Sequence, residues 1–132
     1  MKHIRKIIIL FAAFMAIVPA AFAGPSGGWQ NQDIKVKGTW SIEERADGNY
    51  LVLSDDFKTK KAPDLKLFFS NKSYDTINGK NATQEATFLS LLSSNKGGQS
   101  YKIPSSVDVG SYKSLVIHCE QYSKLWASTP LK

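Results

Sequence analysis

The chain has 132 residues, of which 17 are basic and 11 are acidic, for a formal net charge of +6. Three of the basic residues precede an apolar run at the N-terminus, and without them the remainder carries 14 basic against 11 acidic residues, a net charge of +3. A chain of this length fits one domain rather than two, and so small an excess of positive charge argues against a nucleic-acid-binding arm.

The N-terminal segment 1–23 is typical of a secretory signal peptide. Its basic residues are followed by a twelve-residue apolar run, and Ala21 and Ala23 supply the small residues of a cleavage signal. Twelve apolar residues are too few for a transmembrane helix, which needs ~20. The sequence therefore predicts a periplasmic or secreted protein with no stable membrane span after cleavage.

Residues 24–32 are rich in glycine and polar side chains and predict a flexible lead-in, with the folded domain over 33–132. From Asp33 onward, short runs of alternating polarity are separated by turn residues, which is typical of an antiparallel all-β domain, a β-sandwich or a barrel-like fold of short strands. Asp47 and Gly48 predict a tight hairpin turn. The predicted strands lie in DIKVKG, TWSIEE, NYLVLS, DLKLFFS, ATFLSLL, QSYKI and SLVIHCE.

Beyond the signal segment, the chain keeps one histidine, His118, one cysteine, Cys119, and no methionine. A blue-copper site needs two histidines and a cysteine, and attachment of a c-type haem needs a C-x-x-C-H motif, so both are disfavoured. A shared zinc site is also disfavoured, because neighbouring side chains of a strand point to opposite faces of the sheet. The residues predict no metal site.

Cys119 ends the last strong strand, and alternation places its side chain on the apolar face with Leu115 and Ile117. Two interpretations stay open at this point. A buried thiol would behave as a small hydrophobic side chain. A functional thiol would be redox-active or would ligate a prosthetic group, as thiolates do for haem iron.

One basic cluster stands out in the stretch KTKKAPDLK, which contains Lys58, Lys60, Lys61 and Lys66. A solvated loop is the expected structure. Contact with an anion or a membrane surface is the alternative.

Three stretches carry a resemblance to a known family: GNYLVLSDDFKTKKAPDLKLFFS, NKGGQSYKIP and YKSLVIHCEQYSKLW. In order and spacing they resemble the electron-transfer DM13 (DM-thirteen) domain family over residues 36–131. The resemblance implies an all-β module that acts in electron transfer or redox modification outside the cell. It also implies that a single cysteine works as a bare thiol or by binding a prosthetic group such as haem.

Carried over by position, that role falls on Cys119, with His118 as a second, tentative cofactor-binding residue. Family members often have an aromatic residue directly before the cysteine, where this chain has His118. Other residues that match the family pattern are assigned to the scaffold: Asp56, Phe57, Pro63, Asp64, Gln99, Tyr101 and Pro104.

We therefore expect an exported redox-linked module in which Cys119 exchanges electrons or holds a prosthetic group, with a redox partner or another extracytoplasmic protein as its partner. The alternative is a non-catalytic extracytoplasmic binding or interaction domain with a structural, buried cysteine. A small carbohydrate-binding domain is a third hypothesis, which rests on Trp29, Trp40 and Trp126. Whether the protein is an enzyme stays open.

Overall fold

The structure, a computed structural model, describes residues 23–132. The predicted signal peptide lies outside the described residues, apart from Ala23. The strands are β1 (Ala23–Gly27), β2 (Asn31–Gln32), β3 (Val36–Lys37), β4 (Trp40–Arg45), β5 (Gly48–Leu53), β6 (Lys58–Thr59), β7 (Leu65–Ser70), β8 (Ala86–Leu91), β9 (Gln99–Lys102), β10 (Ser114–Cys119) and β11 (Lys124–Pro130). Two single-turn 3₁₀ helices cover Tyr74–Thr76 and Val109–Ser111.

The strands form two main antiparallel sheets and one short ribbon. The four-stranded sheet has the order β1-β4-β5-β9, the five-stranded sheet has the order β2-β11-β10-β7-β8, and the ribbon pairs β3 with β6. The predicted all-β, antiparallel fold is confirmed, and it is a β-sandwich. No helix among residues 23–132 is long and apolar enough to cross a bilayer.

The alternation in the sequence explains the four-stranded sheet. Trp40 and Ile42 of β4 are buried between more exposed neighbours, and so are Leu51 and Leu53 of β5. The predicted hairpin between these strands is present, and Gly48 has a φ of 137°, a conformation that side chains with a Cβ rarely adopt. One face of this sheet therefore packs on the core.

The five-stranded sheet is covered on both faces. All six residues of β10 are buried. One face packs into the main core between the two sheets, and the other packs into a second cluster formed by Phe68, Ile77, Ala82, Val116 and Leu125. The segment that follows β7 supplies Ile77 and Ala82, so it acts as a lid over the outer face of the sheet.

The segment 24–32, predicted as a flexible lead-in, is part of the sandwich instead. It contributes most of β1, which pairs with β4, and all of β2, which pairs with β11. Backbone hydrogen bonds in a ladder need no apolar side chains, so a Gly-rich stretch can form an edge strand. Trp29 is buried in the main core, and the Nε1–H of Trp40 donates to the Gly28 carbonyl at 3.0 Å. The folded unit therefore begins earlier than residue 33.

Candidate functional site

Cys119 is the last residue of β10, in the interior of the five-stranded sheet between β7 and β11. Its thiol is free, and the residue has 0% of its surface exposed. It belongs to the main core cluster, together with Leu115 and Ile117. The apolar face that alternation predicts for Cys119 is therefore the inner face of the sandwich.

The cross-strand neighbour of Cys119 on β7 is Leu65. The Leu65 carbonyl accepts a hydrogen bond from the Leu92 N–H at 2.9 Å, so the backbone groups of Leu65 point away from β10. In an antiparallel ladder this makes Leu65 and Cys119 a non-hydrogen-bonded pair, the type whose Cα atoms are about 4.5 Å apart and whose side chains approach most closely. Leu65 is therefore the side chain directly beside the sulfur on that strand.

Leu65 also lines a surface groove of ≈ 360 Å³. The rest of the groove comes from residues 61–63, just before β7, and from residues 91–95, at the end of β8. Leu65 is itself only 6% exposed. Leu65 is thus both a lining residue of the groove and the cross-strand neighbour of Cys119.

A charged cluster sits at the same end of the sheet. Lys66 Nζ lies 2.7 Å from a carboxylate oxygen of Glu120 and 3.5 Å from one of Asp64. The hydrogen bond to Glu120, aided by the nearby negative charge of Asp64, raises the pKa of Lys66 above its ordinary 10.5. Because Lys66 follows Leu65 and Glu120 follows Cys119, this ion pair ties the start of β7 to the end of β10.

His118 lies on the opposite face of β10 from Cys119. Its ring Nε2 is 3.0 Å from the Gly79 carbonyl, and it packs edge-on against Phe68 with ring centroids 6.4 Å apart. Its Nδ1 is buried without a hydrogen-bond partner. The structure does not bring His118 and Cys119 together, so the two cannot ligate one metal or one iron atom from this strand.

The surroundings of Cys119 do not fit a haem. Binding through the sulfur would need an open plane beside it, but Ile117 and Leu65 flank Cys119 on the same face of the sheet and both are buried. The second proposed cofactor-binding residue, His118, faces the other cluster. No group of three or more metal-ligating side chains occurs within residues 23–132.

The tryptophans behind the carbohydrate hypothesis are core residues. Trp29, Trp40 and Trp126 are all buried and belong to the main cluster. None of them presents a ring face at the surface on which a sugar could stack.

These features define an all-β sandwich with one free cysteine sealed inside its larger sheet. The family model described as Electron transfer DM13 matches residues 29–131. The chain therefore belongs to the electron-transfer DM13 family, as the sequence resemblance predicts, and a redox-linked role follows in general terms from that membership. Comparison with curated proteins found no match, and comparison with solved structures found none.

Sequence reasoning predicted the face on which Cys119 lies and the opposite orientation of His118, but it did not identify Leu65 as a neighbour of Cys119. The only signal in the sequence was that Leu65 stands at an inward position of a strand. Its closeness to the thiol depends on which strands are neighbours and in which register, and neither is set by residues close to it in the chain.

Proposed function

We propose that the protein is an exported redox-linked domain in which Cys119 acts as a bare thiol that is kept sealed until the sheet opens locally at Leu65. Family membership supports the redox-linked part. The mechanism rests on the position of Leu65. Among the residues of β7, only Leu65 lines the surface groove, and it is the cross-strand neighbour of Cys119, the only thiol beyond the signal segment.

The positions of Cys119 and β8 in the sheet favour local opening beside Leu65. Cys119 is at the end of its strand, directly before the turn at Glu120, and β8 is an edge strand of the sheet. Strand ends and edges open at lower free energy than sheet centres. Phe88 and Leu91 on β8 are about half exposed, so the edge holds little buried apolar surface.

The chemistry after opening is thiol–disulfide exchange with a disulfide of a partner protein. The exposed Cys119 loses its proton to water, and the thiolate attacks one sulfur of the partner disulfide. A mixed disulfide forms, and the second partner sulfur leaves as a thiolate that is then protonated. The released partner sulfur is thereby reduced to a thiol and the Cys119 sulfur is oxidised, while the other partner sulfur stays in the mixed disulfide.

The test is the rate at which the native protein reacts with an aromatic disulfide reagent. We expect slow reaction without denaturant, at a rate above that allowed by global unfolding, and none in Cys119→Ala. Reaction that occurs only when the whole domain unfolds would overturn the proposal. A visible chromophore bound to the protein from its native compartment would overturn the bare-thiol mechanism.

Export is proposed from the N-terminal segment, which matches a signal peptide. The mass and N-terminal sequence of the protein recovered from outside the cytoplasm test it. Cleavage after Ala23 is expected, and an intact N-terminus on protein that stays in the cytoplasm would refute it.

The second candidate is a non-catalytic binding or interaction domain whose cysteine is structural. The complete burial of Cys119 favours it. It predicts that Cys119→Ala changes stability but leaves partner binding and the phenotype of the host unchanged, whereas the redox mechanism predicts loss of function from the same substitution.

A further inference from the structure

The ribbon of β3 and β6 gathers lysines that are far apart in the sequence. In its register Lys37 is directly opposite Lys58, and Lys35 and Lys60, which directly flank the two strands, line one groove together with them. On the other side of β6, Lys96 forms a bridge opposite Lys58. Side chains directly opposite each other in a ladder share one face. Lys35, Lys37, Lys58, Lys60 and Lys96, here called the lysine face, therefore point to the same side.

The lysine face is exposed, and the alternating residues Val36 and Thr59 are buried beneath it. None of its five lysines lies within 4.0 Å of a carboxylate among residues 23–132. By contrast Lys66, which the sequence groups with Lys58 and Lys60, is paired with Glu120 and Asp64. The basic cluster in the sequence is thus divided. Its unpaired part is extended by Lys37 of β3, by Lys35 directly before β3 and by Lys96 in the segment before β9.

Like charges placed directly opposite each other weaken a ladder. The row of Lys37, Lys58 and Lys96 repeats this unfavourable arrangement twice, without a compensating contact to any carboxylate in the described part of the chain. A surface that keeps such an arrangement is suited to an anionic partner, which would remove the repulsion on binding.

The shape of the groove at the lysine face limits which class of partner can bind there. Four of the lysines, with Asp33, Ile34 and Thr59, line a groove of ≈ 640 Å³. Residues two apart in an extended chain, the separation of Lys35 from Lys37 and of Lys58 from Lys60, are about 6.8 Å apart, which is also the spacing of alternate side chains in an extended peptide. A short groove with matching charge spacing therefore fits one extended strand of acidic residues.

We propose that the lysine face docks an extended acidic segment of a partner protein. A membrane surface fits less well, because Ile34 is the only apolar residue of the groove and it is half-buried rather than protruding. Ile34 also packs against the core cluster that contains Cys119, so a docked partner would be held at a face that rests on the same core. The proposal does not depend on the redox role of Cys119.

The experiment measures binding of a short poly-glutamate peptide to the full domain by fluorescence anisotropy, at low and at moderate salt. We expect saturable binding that weakens with salt. The triple variant Lys37→Glu, Lys58→Glu, Lys96→Glu is expected to bind at least about tenfold more weakly, because it loses three exposed ion pairs and adds repulsion between like charges.

A matched variant of equal net charge, Lys80→Glu, Lys113→Glu, Lys132→Glu, is expected to keep the native affinity, because these exposed lysines belong neither to the lysine face nor to the groove. A third variant, Lys37→Gln, Lys58→Gln, Lys96→Gln, introduces no negative charge and so controls for misfolding of the glutamate variant. It is expected to lose affinity as well. Equal loss in the two glutamate triples would overturn the proposal, since net charge alone would then explain binding. Tighter binding to anionic phospholipid vesicles or to a sulfated polysaccharide than to poly-glutamate would also overturn it.

Discussion

Truncating Leu65 to alanine should open the path from the surface groove to Cys119. Leu65 is 6% exposed, so the substitution removes most of a buried side chain. Leu→Ala changes at buried sites cost about 2–5 kcal/mol. Leu65 borders a groove, so neighbouring side chains can move into the space that the truncation leaves. We therefore expect a loss of unfolding free energy near the lower end of that range, about 2–3 kcal/mol.

The rate of thiol modification separates two routes to the sulfur. If Cys119 reacts only from the globally unfolded chain, the rate rises with the unfolding constant, by roughly 30- to 140-fold for this loss of stability. If it reacts from a locally opened sheet, Leu65→Ala should raise the rate by up to the same factor, whereas an equally destabilising substitution far from the opening should leave the rate nearly unchanged. Urea unfolding gives the stability, and the disulfide reagent gives the rate.

Leu51→Ala is the matched control. Leu51 is fully buried and pairs with Ile42 in the ladder. Ile42 lines a different groove together with Leu131, which follows the end of β11 that is farther from Cys119. This control should lose at least as much stability as Leu65→Ala, with little change in the native reaction rate. If both variants accelerate the reaction only in proportion to their stability losses, opening at Leu65 is refuted.

Three other substitutions probe the same end of the sheet. Cys119→Ser should destabilise the fold more than Cys119→Ala in urea unfolding, by about 1–3 kcal/mol, because a buried hydroxyl without a partner carries a desolvation cost; equal stabilities would contradict full burial. His118→Ala should speed hydrogen exchange in the turn around Gly79 yet leave the thiol rate, corrected for stability, unchanged; a corrected rate that rises would contradict the opposite-face geometry. Lys66 has a raised pKa, so its contribution to stability is fully present below pH 10.5 and is lost as the pH rises through the folded-state pKa. Glu120→Gln should weaken that alkaline dependence in urea unfolding at stepped pH, and an unchanged pH profile would refute the pairing.

Local patterns in the sequence predict much of this fold. Alternating runs identify the main strands, the glycine at position 48 identifies a hairpin, and period-two alternation separates His118 from Cys119. Each of these features depends on residues that are near one another in the chain, which is why the sequence alone is sufficient for them.

The features that the sequence did not predict depend on the pairing of strands that are far apart in the chain. Leu65 lies beside Cys119, and Lys37 beside Lys58, only because particular strands are neighbours in a particular register. The Gly-rich β1 gives no apolar signal, because its place is held by backbone hydrogen bonds to β4. Register and sheet order are properties of the whole fold, so no short window of sequence contains them.

The pairing of β2 with β11 determines when the core can close. Gln32 is the ladder partner of Ala127, so this edge joins the two ends of the described chain. Contacts between residues so far apart carry a high loop-closure entropy and slow the folding reaction. Since β11 also flanks β10, the larger sheet is incomplete until β11 has paired with both neighbours. Folding of this domain therefore requires segments from both ends of residues 23–132, and the strand that carries Cys119 gains its second neighbour only when β11 is in place.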